Sequence, residues 1–296
     1  MAVPLSAGSD KDRSFPLLAR KNFGLTTHFR RAEFAPGFYT GRMMQLAERD
    51  AAAVHAVPLP RKDWCLFLDV DGTLLELADS PGGVAVDEAL LPLLERLRVA
   101  AGGAVALVSG RTIENLDRLL GTTQFPIAGL HGCERRDAHG NLHVAPIARE
   151  QLADLRDGLS RVAMRHPGLL LEDKGAGIAM HFLKARELEH ELRAEVALLA
   201  APLVPKFAVI DGHAVIEVKP AAHTKDSAVT AYMEEAPFAH RTPIFIGDDQ
   251  TDYDGFAAVR RYDGLAIAVG PRVKSEWWLP GPAAVRGWLE QLLERA

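Results

Sequence analysis

The chain has 296 residues, 48% hydrophobic and 25% charged, which excludes disorder as its main state and allows one large domain or two modest ones. Thirty-four basic against 39 acidic residues leave a net charge of −5, which argues against nucleic-acid or membrane-surface partners, because those favour a basic excess. No apolar run nears the roughly 18 residues of a membrane span and no secretory core opens the chain, so a cytoplasmic protein is expected.

Residues 1–62 show scattered Ser, Gly, Arg, Asp and Pro, with one short helix expected between Arg42 and Val57 before Pro58 and Pro60 stop it. They read as an N-terminal extension. At Trp64 the texture changes. CLFLDV (65–70), AVALVSG (104–110), PIAGLHG (126–132) and PIFIGDD (243–249) are short, near-continuous apolar runs, the mark of strands buried on both faces of a parallel sheet. Cys65 lies in the first run and Cys133 just after the third. Two such cysteines are expected as separate thiols in a reducing compartment. DEALLPLLERLRVA (87–100) and TIENLDRLLG (112–121) carry helical spacing between strands. Between 148 and 218 the rhythm becomes helix, two strands, helix, then a hairpin turning at Asp211-Gly212. The expected fold is α/β: a doubly wound Rossmann-like parallel sheet core (63–147 and 219–296) with an inserted α+β cap (148–218).

Four motifs carry chemistry. Asp69-Val70-Asp71-Gly72-Thr73 leaves the first strand. Ligands of open α/β sheets sit outside the carboxyl ends of strands, and Gly72 permits the turn that lets both carboxylates face that crevice. Such a pair repels itself unless a cation or proton is shared. Gly247-Asp248-Asp249-Gln250-Thr251-Asp252 follows another buried strand, and its acid concentration suits a hard divalent cation, Mg²⁺ above all. Ser109-Gly110-Arg111, also at a strand end, offers a hydroxyl and backbone N–H groups to phosphate. Lys225, six residues after Lys219, supplies an ammonium that can neutralise phosphate charge. His131, His181, His213 and His223 show no transition-metal spacing and are expected as hydrogen-bonding or core histidines, His213 being set apart by its cap position. Trp277-Trp278 is expected as packing or a surface anchor.

In that order the motifs resemble those of the haloacid dehalogenase superfamily. GLHGCERRDAHG, LEDKGAGIAMHF, AVIEVKP and PFAHRTPIFIGDDQTDYDGF resemble more closely its trehalose-6-phosphate phosphatase family, from about Asp63 to Leu289. The resemblance implies that Asp69 is the nucleophile and Asp71 the general acid/base, with Lys225 completing the catalytic group. It implies phosphate binding by Ser109, Gly110 and Lys225. Metal binding falls to Asp69, the backbone carbonyl of Asp71, Asp248 and Asp249, with Asp249 or Asp252 steadying the metal and Lys225. Sugar binding falls to Asp71, Gly72, Glu172, Lys174, His213 and Glu217. The implied activity is Mg²⁺-dependent hydrolysis of trehalose 6-phosphate, a small sugar phosphate, through an aspartyl-phosphate.

The chain departs from the family where Leu183 replaces an Arg and His213 a Lys; Tyr253 and Asp226 also differ from the usual Glu and Gly. Leu183 cannot donate a hydrogen bond and His213 is a shorter, titratable donor. The nucleophile pair is untouched, so another sugar or glycoside phosphate, such as sucrose 6-phosphate or glucosylglycerol phosphate, stays open as substrate. A phosphomutase of the same superfamily and a non-catalytic sensor are the rival readings. An ATP-driven transporter with the same aspartyl chemistry is excluded by the lack of an apolar span.

Overall fold

The structure, a computed structural model, describes residues 57–77, 86–146 and 149–294. The expected helix before Val57 lies outside them. The larger sheet has eight strands in the order β12-β11-β10-β1-β2-β3-β4-β5. These are β1 (Trp64–Leu68), β2 (Val105–Val108), β3 (Ile127–Gly129), β4 (Glu134–Arg136), β5 (Leu142–Val144), β10 (Thr242–Gly247), β11 (Leu265–Val269) and β12 (Trp277–Leu279). From β12 to β3 every pairing is parallel, while β4 and β5 return antiparallel.

Alternate residues of each central strand serve opposite faces, so both faces need cover. Leu66 and Leu68 of β1 pack into one core with α1 (Leu90–Ala100), α2 (Ile113–Leu120) and α7 (Pro282–Glu294). Cys65 and Phe67 pack into the other with α5 (Lys225–Met233) and α6 (Asp252–Arg261). The sheet is therefore doubly wound. Val57 joins the first core, and the carbonyl of Pro58 accepts the Trp288 indole N–H at 3.1 Å. The packed chain thus includes residues several positions before Asp63.

The second sheet runs β6-β7-β9-β8, all antiparallel. Its strands are β6 (Leu170–Asp173), β7 (Ile178–His181), β8 (Phe207–Gly212) and β9 (Val215–Pro220). Ile178, Met180, Ile216 and Val218 bury one face against α3 (Ala153–Arg165) and α4 (Glu189–Ala200). The other face carries Glu172, Lys174, His181 and Glu217 into a cavity. β9 runs to Pro220, two residues beyond the expected division at 218.

The β8–β9 turn differs from the expectation. Gly212 pairs with Val215, so the turn is His213-Ala214, with Ala214 at φ +54°. Gly212 instead serves close approach: a Cβ there would come 2.7 Å from Val215 and 3.3 Å from Asp249 Oδ2. The motif that reads as a turn brings the hairpin tip against the larger sheet's loop.

Trp277 and Trp278 form part of β12, and the Trp278 indole donates to the Gly270 carbonyl at 2.6 Å. Both cysteines are free and buried. Burial pushes the Cys65 thiol up to about 12 and the Cys133 thiol to about 11, so neither is a ready thiolate. Among the described residues, no helix is long and apolar enough to cross a membrane.

Candidate active site

The site forms where adjacent parallel strands end. Arg272 follows β11, Asp248 follows β10, Asp69 follows β1, Ser109 follows β2 and His131 follows β3. All but Asp248 line one cavity of about 500 Å³, within the usual range for small-ligand pockets. β1 is flanked by strands reached through opposite connections, the switch-point position at which such sheets bind ligands.

Asp69 and Lys225 form its centre. Thr224 caps α5 through a reciprocal pair of bonds with Ser227, which sets Lys225 as the first helical residue. Its Nζ donates to Asp69 Oδ1 and to Asp252 Oδ1, each at 2.6 Å. Asp252 is itself fixed: its Oδ2 accepts the backbone N–H groups of Asp248 and Asp249 at 2.9 and 2.8 Å. Burial pushes the Asp69 carboxyl up to about 7; Lys225 opposes this and Asp252 adds to it. Burial works against the charged ammonium of Lys225, but Asp252 and Asp69 more than offset it and hold it above its ordinary value.

Asp69, Asp248 and Asp252, all buried, bring carboxylate oxygens within 4.8 Å of one another. Thr73 donates to Asp248 Oδ1 at 3.0 Å, whereas buried Oδ2 makes no hydrogen bond and meets the Arg272 guanidinium. Three buried carboxylates offering only oxygen donors, faced by the two cations Lys225 and Arg272, fit a hard divalent cation. Asp249, expected as a ligand, lines the cavity but is not one of the three. Gly72 holds φ +84°, and a Cβ there would overlap Asp248 Oδ2; it is the close approach of the two motifs that requires glycine.

Asp71 is gripped by Arg111, Nε to Oδ2 at 2.6 Å and Nη2 to Oδ1 at 2.7 Å. Arg111 Nη1 also donates to Asn115 Oδ1 at 2.8 Å, which orients the guanidinium. Ser109 Oγ accepts the Arg111 N–H at 3.1 Å. The second sheet supplies the facing wall. Lys174 Nζ lies 3.0 Å from Glu217 Oε2 and 3.3 Å from the Gly110 carbonyl, so it reaches the larger sheet's loop. His131 Nε2 lies 3.4 Å from the same Glu217 oxygen. Burial opposes ionisation of Glu217, but Lys174 and His131 outweigh it and hold the carboxyl well below its usual range. His181 Nε2 lies 2.8 Å from Glu172 Oε2. His213 stands at the hairpin tip, 3.3 Å from Arg186 Nη2, and burial with Arg272 and Arg186 lowers its pKa.

Every residue singled out from sequence for catalysis, phosphate or sugar therefore lines this cavity, except Gly72, which packs against Asp248. Lys219 does not join them; it donates to the His223 carbonyl. Sequence reasoning expected His131 as a hydrogen-bonding or core histidine, which its burial and its contact with Glu217 bear out, but gave no role to the side chains of Arg111, Asn115 or Arg272. Arg111 stood inside a motif already quoted. Arg272 lies 20 residues beyond Asp252, in a loop without an acidic or glycine-rich pattern to mark it.

An aspartate at the end of the central strand, bonded to a buried lysine and backed by an acidic loop, belongs to a known class. The fold is shared with solved haloacid dehalogenase-like structures from Bacteroides thetaiotaomicron, at 14–15% identity and TM-scores of 0.52–0.53. The trehalose-phosphatase family profile matches residues 67–277, and the chain belongs to that family. It is 39% identical over 227 residues to trehalose-6-phosphate phosphatase of Escherichia coli, covering 76% of this chain and 85% of that one. It is 43% identical over 235 residues to a probable trehalose-phosphate phosphatase of Sinorhizobium fredii, covering 78% and 88%. The C-terminal domain of Candida albicans trehalose-6-phosphate phosphatase superposes with a TM-score of 0.71 at 20% identity, covering 78% of this chain and 92% of that structure.

Proposed function

We propose that the chain is a Mg²⁺-dependent phosphatase that hydrolyses trehalose 6-phosphate to trehalose and inorganic phosphate. The observation that carries this reading is Asp69, at the end of β1, bonded to Lys225 and facing a wall of Glu172, Lys174 and Glu217. Family membership supplies the substrate.

Asp69 attacks phosphorus through a carboxylate oxygen while the bond from phosphorus to the sugar oxygen breaks. Asp71 protonates that leaving oxygen, then takes a proton from the water that attacks the aspartyl-phosphate. Phosphate leaves and Asp69 is regenerated. Lys225, the Ser109 hydroxyl and the Gly110 N–H neutralise and orient the phosphoryl oxygens. Asp69 and Asp248, with Asp252 or Asp249 in support, would hold Mg²⁺, which would supply charge stabilisation for phosphoryl transfer. Glu172, Lys174 and Glu217 take the sugar hydroxyls on the second, cap-like layer, where an ill-matched sugar leaves buried polar groups unpaired.

The test is phosphate release with Mg²⁺ on trehalose 6-phosphate, glucose 6-phosphate, sucrose 6-phosphate and glucosylglycerol phosphate. A kcat/KM for trehalose 6-phosphate about 100-fold above the others is expected. Asp69→Asn should lower turnover by roughly a thousandfold or more, because an amide is a poor nucleophile. Full activity in that variant would remove the aspartyl mechanism.

A further inference from the structure

The cavity wall changes character along the strands of the second sheet. Register places Glu172 and Glu217 in one row, and Leu170, His181 and Val215 in the next, about 7 Å further along. The first row is charged and meets the larger sheet's loops through His131 and, by way of Lys174, the Gly110 carbonyl. In the second row Leu170 and Val215 are aliphatic, and the imidazole of His181 is already bonded to Glu172. Leu169 and Leu183 continue the aliphatic wall of the same cavity. Leu170 is 50% exposed, so this apolar surface is open to whatever extends past the charged row. Of the other donors on this side, His213 meets Arg186 and Lys184 is exposed to solvent.

We infer that this aliphatic wall is an aglycone subsite, and that the enzyme accepts glucoside 6-phosphates whose second moiety is apolar, an aryl or alkyl group, alongside the disaccharide. The inference rests on the reading of the preceding subsection. A subsite built from buried donors and acceptors rejects an analogue lacking hydroxyls, because those groups are left unpaired. An aliphatic wall leaves none unpaired. Its recognition comes from apolar area, which a phenyl ring brings and a methyl group barely does.

The experiment compares phosphate release by the full chain with Mg²⁺ on trehalose 6-phosphate, phenyl α-D-glucopyranoside 6-phosphate and methyl α-D-glucopyranoside 6-phosphate. The expected kcat/KM for the phenyl glucoside exceeds that for the methyl glucoside by about tenfold. Leu170→Gln and Leu183→Gln should each cut that ratio about fivefold, with the circular dichroism spectrum retained. If a variant does not fold, the ratio in the unaltered chain still decides. A ratio near one, with trehalose 6-phosphate hydrolysed, overturns the subsite and leaves the proposed activity standing. Hydrolysis of both glucosides but not of trehalose 6-phosphate overturns the proposed substrate, while the ratio still decides the subsite. Release from none of the three overturns both.

Discussion

Arg111 holds Asp71 by two parallel hydrogen bonds of 2.6 and 2.7 Å, the fork of a guanidinium matched to a carboxylate. Asn115, in the first turn of α2, fixes the guanidinium from its third side. The proposed general acid/base is therefore aimed before substrate arrives, by a residue of the phosphate loop.

A lysine cannot reproduce that fork. Arg111→Lys removes a bidentate charge-assisted contact of about 1.5–3 kcal/mol and should lower kcat/KM by about 10- to 100-fold. Steady-state phosphate release measures it. Unchanged kinetics would mean that Asp71 needs no such support.

Gly72→Ala places a Cβ against Asp248 Oδ2 at a residue whose φ is +84°. The left-handed conformation alone costs about 1–2 kcal/mol in a non-glycine residue. Overlap with a buried carboxylate adds to that, so the melting temperature should fall by about 5 °C or more. Thermal melts of the two proteins side by side settle it; coincident curves would show that the loop relaxes freely.

Three buried carboxylates answered by Lys225 and Arg272 should draw in a divalent cation. Saturating Mg²⁺, at about 100 times its dissociation constant, stabilises by about 2.7 kcal/mol, a readily measured rise in melting temperature. EDTA should abolish phosphate release, and Asp248→Asn should shrink the thermal shift. A Mg²⁺-independent melting temperature in the unaltered protein contradicts the assignment.

Glu217 is ionised at a lower pH in the fold than a free glutamate, whose ordinary value is 4.5. A depressed carboxyl stabilises above its unfolded value, and that contribution fades as pH falls from about 4.5 toward the lower folded value. The gap in melting temperature between the unaltered chain and Glu217→Gln should therefore be widest near neutral pH and narrow on acidification below about 4.5. Melts in buffers from about pH 7 down to about pH 3 provide the check; a gap that widens in acid reverses the sign and refutes the pairing with Lys174 and His131.

Much of this was legible along the chain. Buried parallel strands announce themselves as unbroken apolar runs, because helices cover both faces, and β1, β2, β3 and β10 read that way. Their ends carry Asp69, Ser109 and Asp248, so catalytic chemistry follows from position on a strand. The hairpin β4–β5 is harder to see. Its Glu134-Arg135-Arg136 run is polar and is held by partners distant in sequence, Arg136 by Asp117 and Arg135 by Glu235. The Asp211-Gly212 pair misleads for a related reason: its glycine answers to the close approach of Val215 and Asp249, while the turn itself falls at His213-Ala214.

Local order of residues thus determined the class of fold, the Asp69–Asp71 pair at a strand end and the acidic loop, because each rests on a pattern within a few consecutive positions; Lys225 was singled out only by its order among the other motifs. Only the tertiary structure decided what those groups face. Arg111 finds Asp71 40 residues away, Lys174 finds Glu217 43 residues away, and His131 finds the same Glu217 86 residues away. The first pair joins the loops after adjacent strands β1 and β2, the second lies within the smaller sheet and the third runs from one sheet to the other, and no short-range periodicity encodes any of them. Tertiary packing also sets charged and aliphatic rows side by side in one cavity, the arrangement on which the proposed choice of substrate rests.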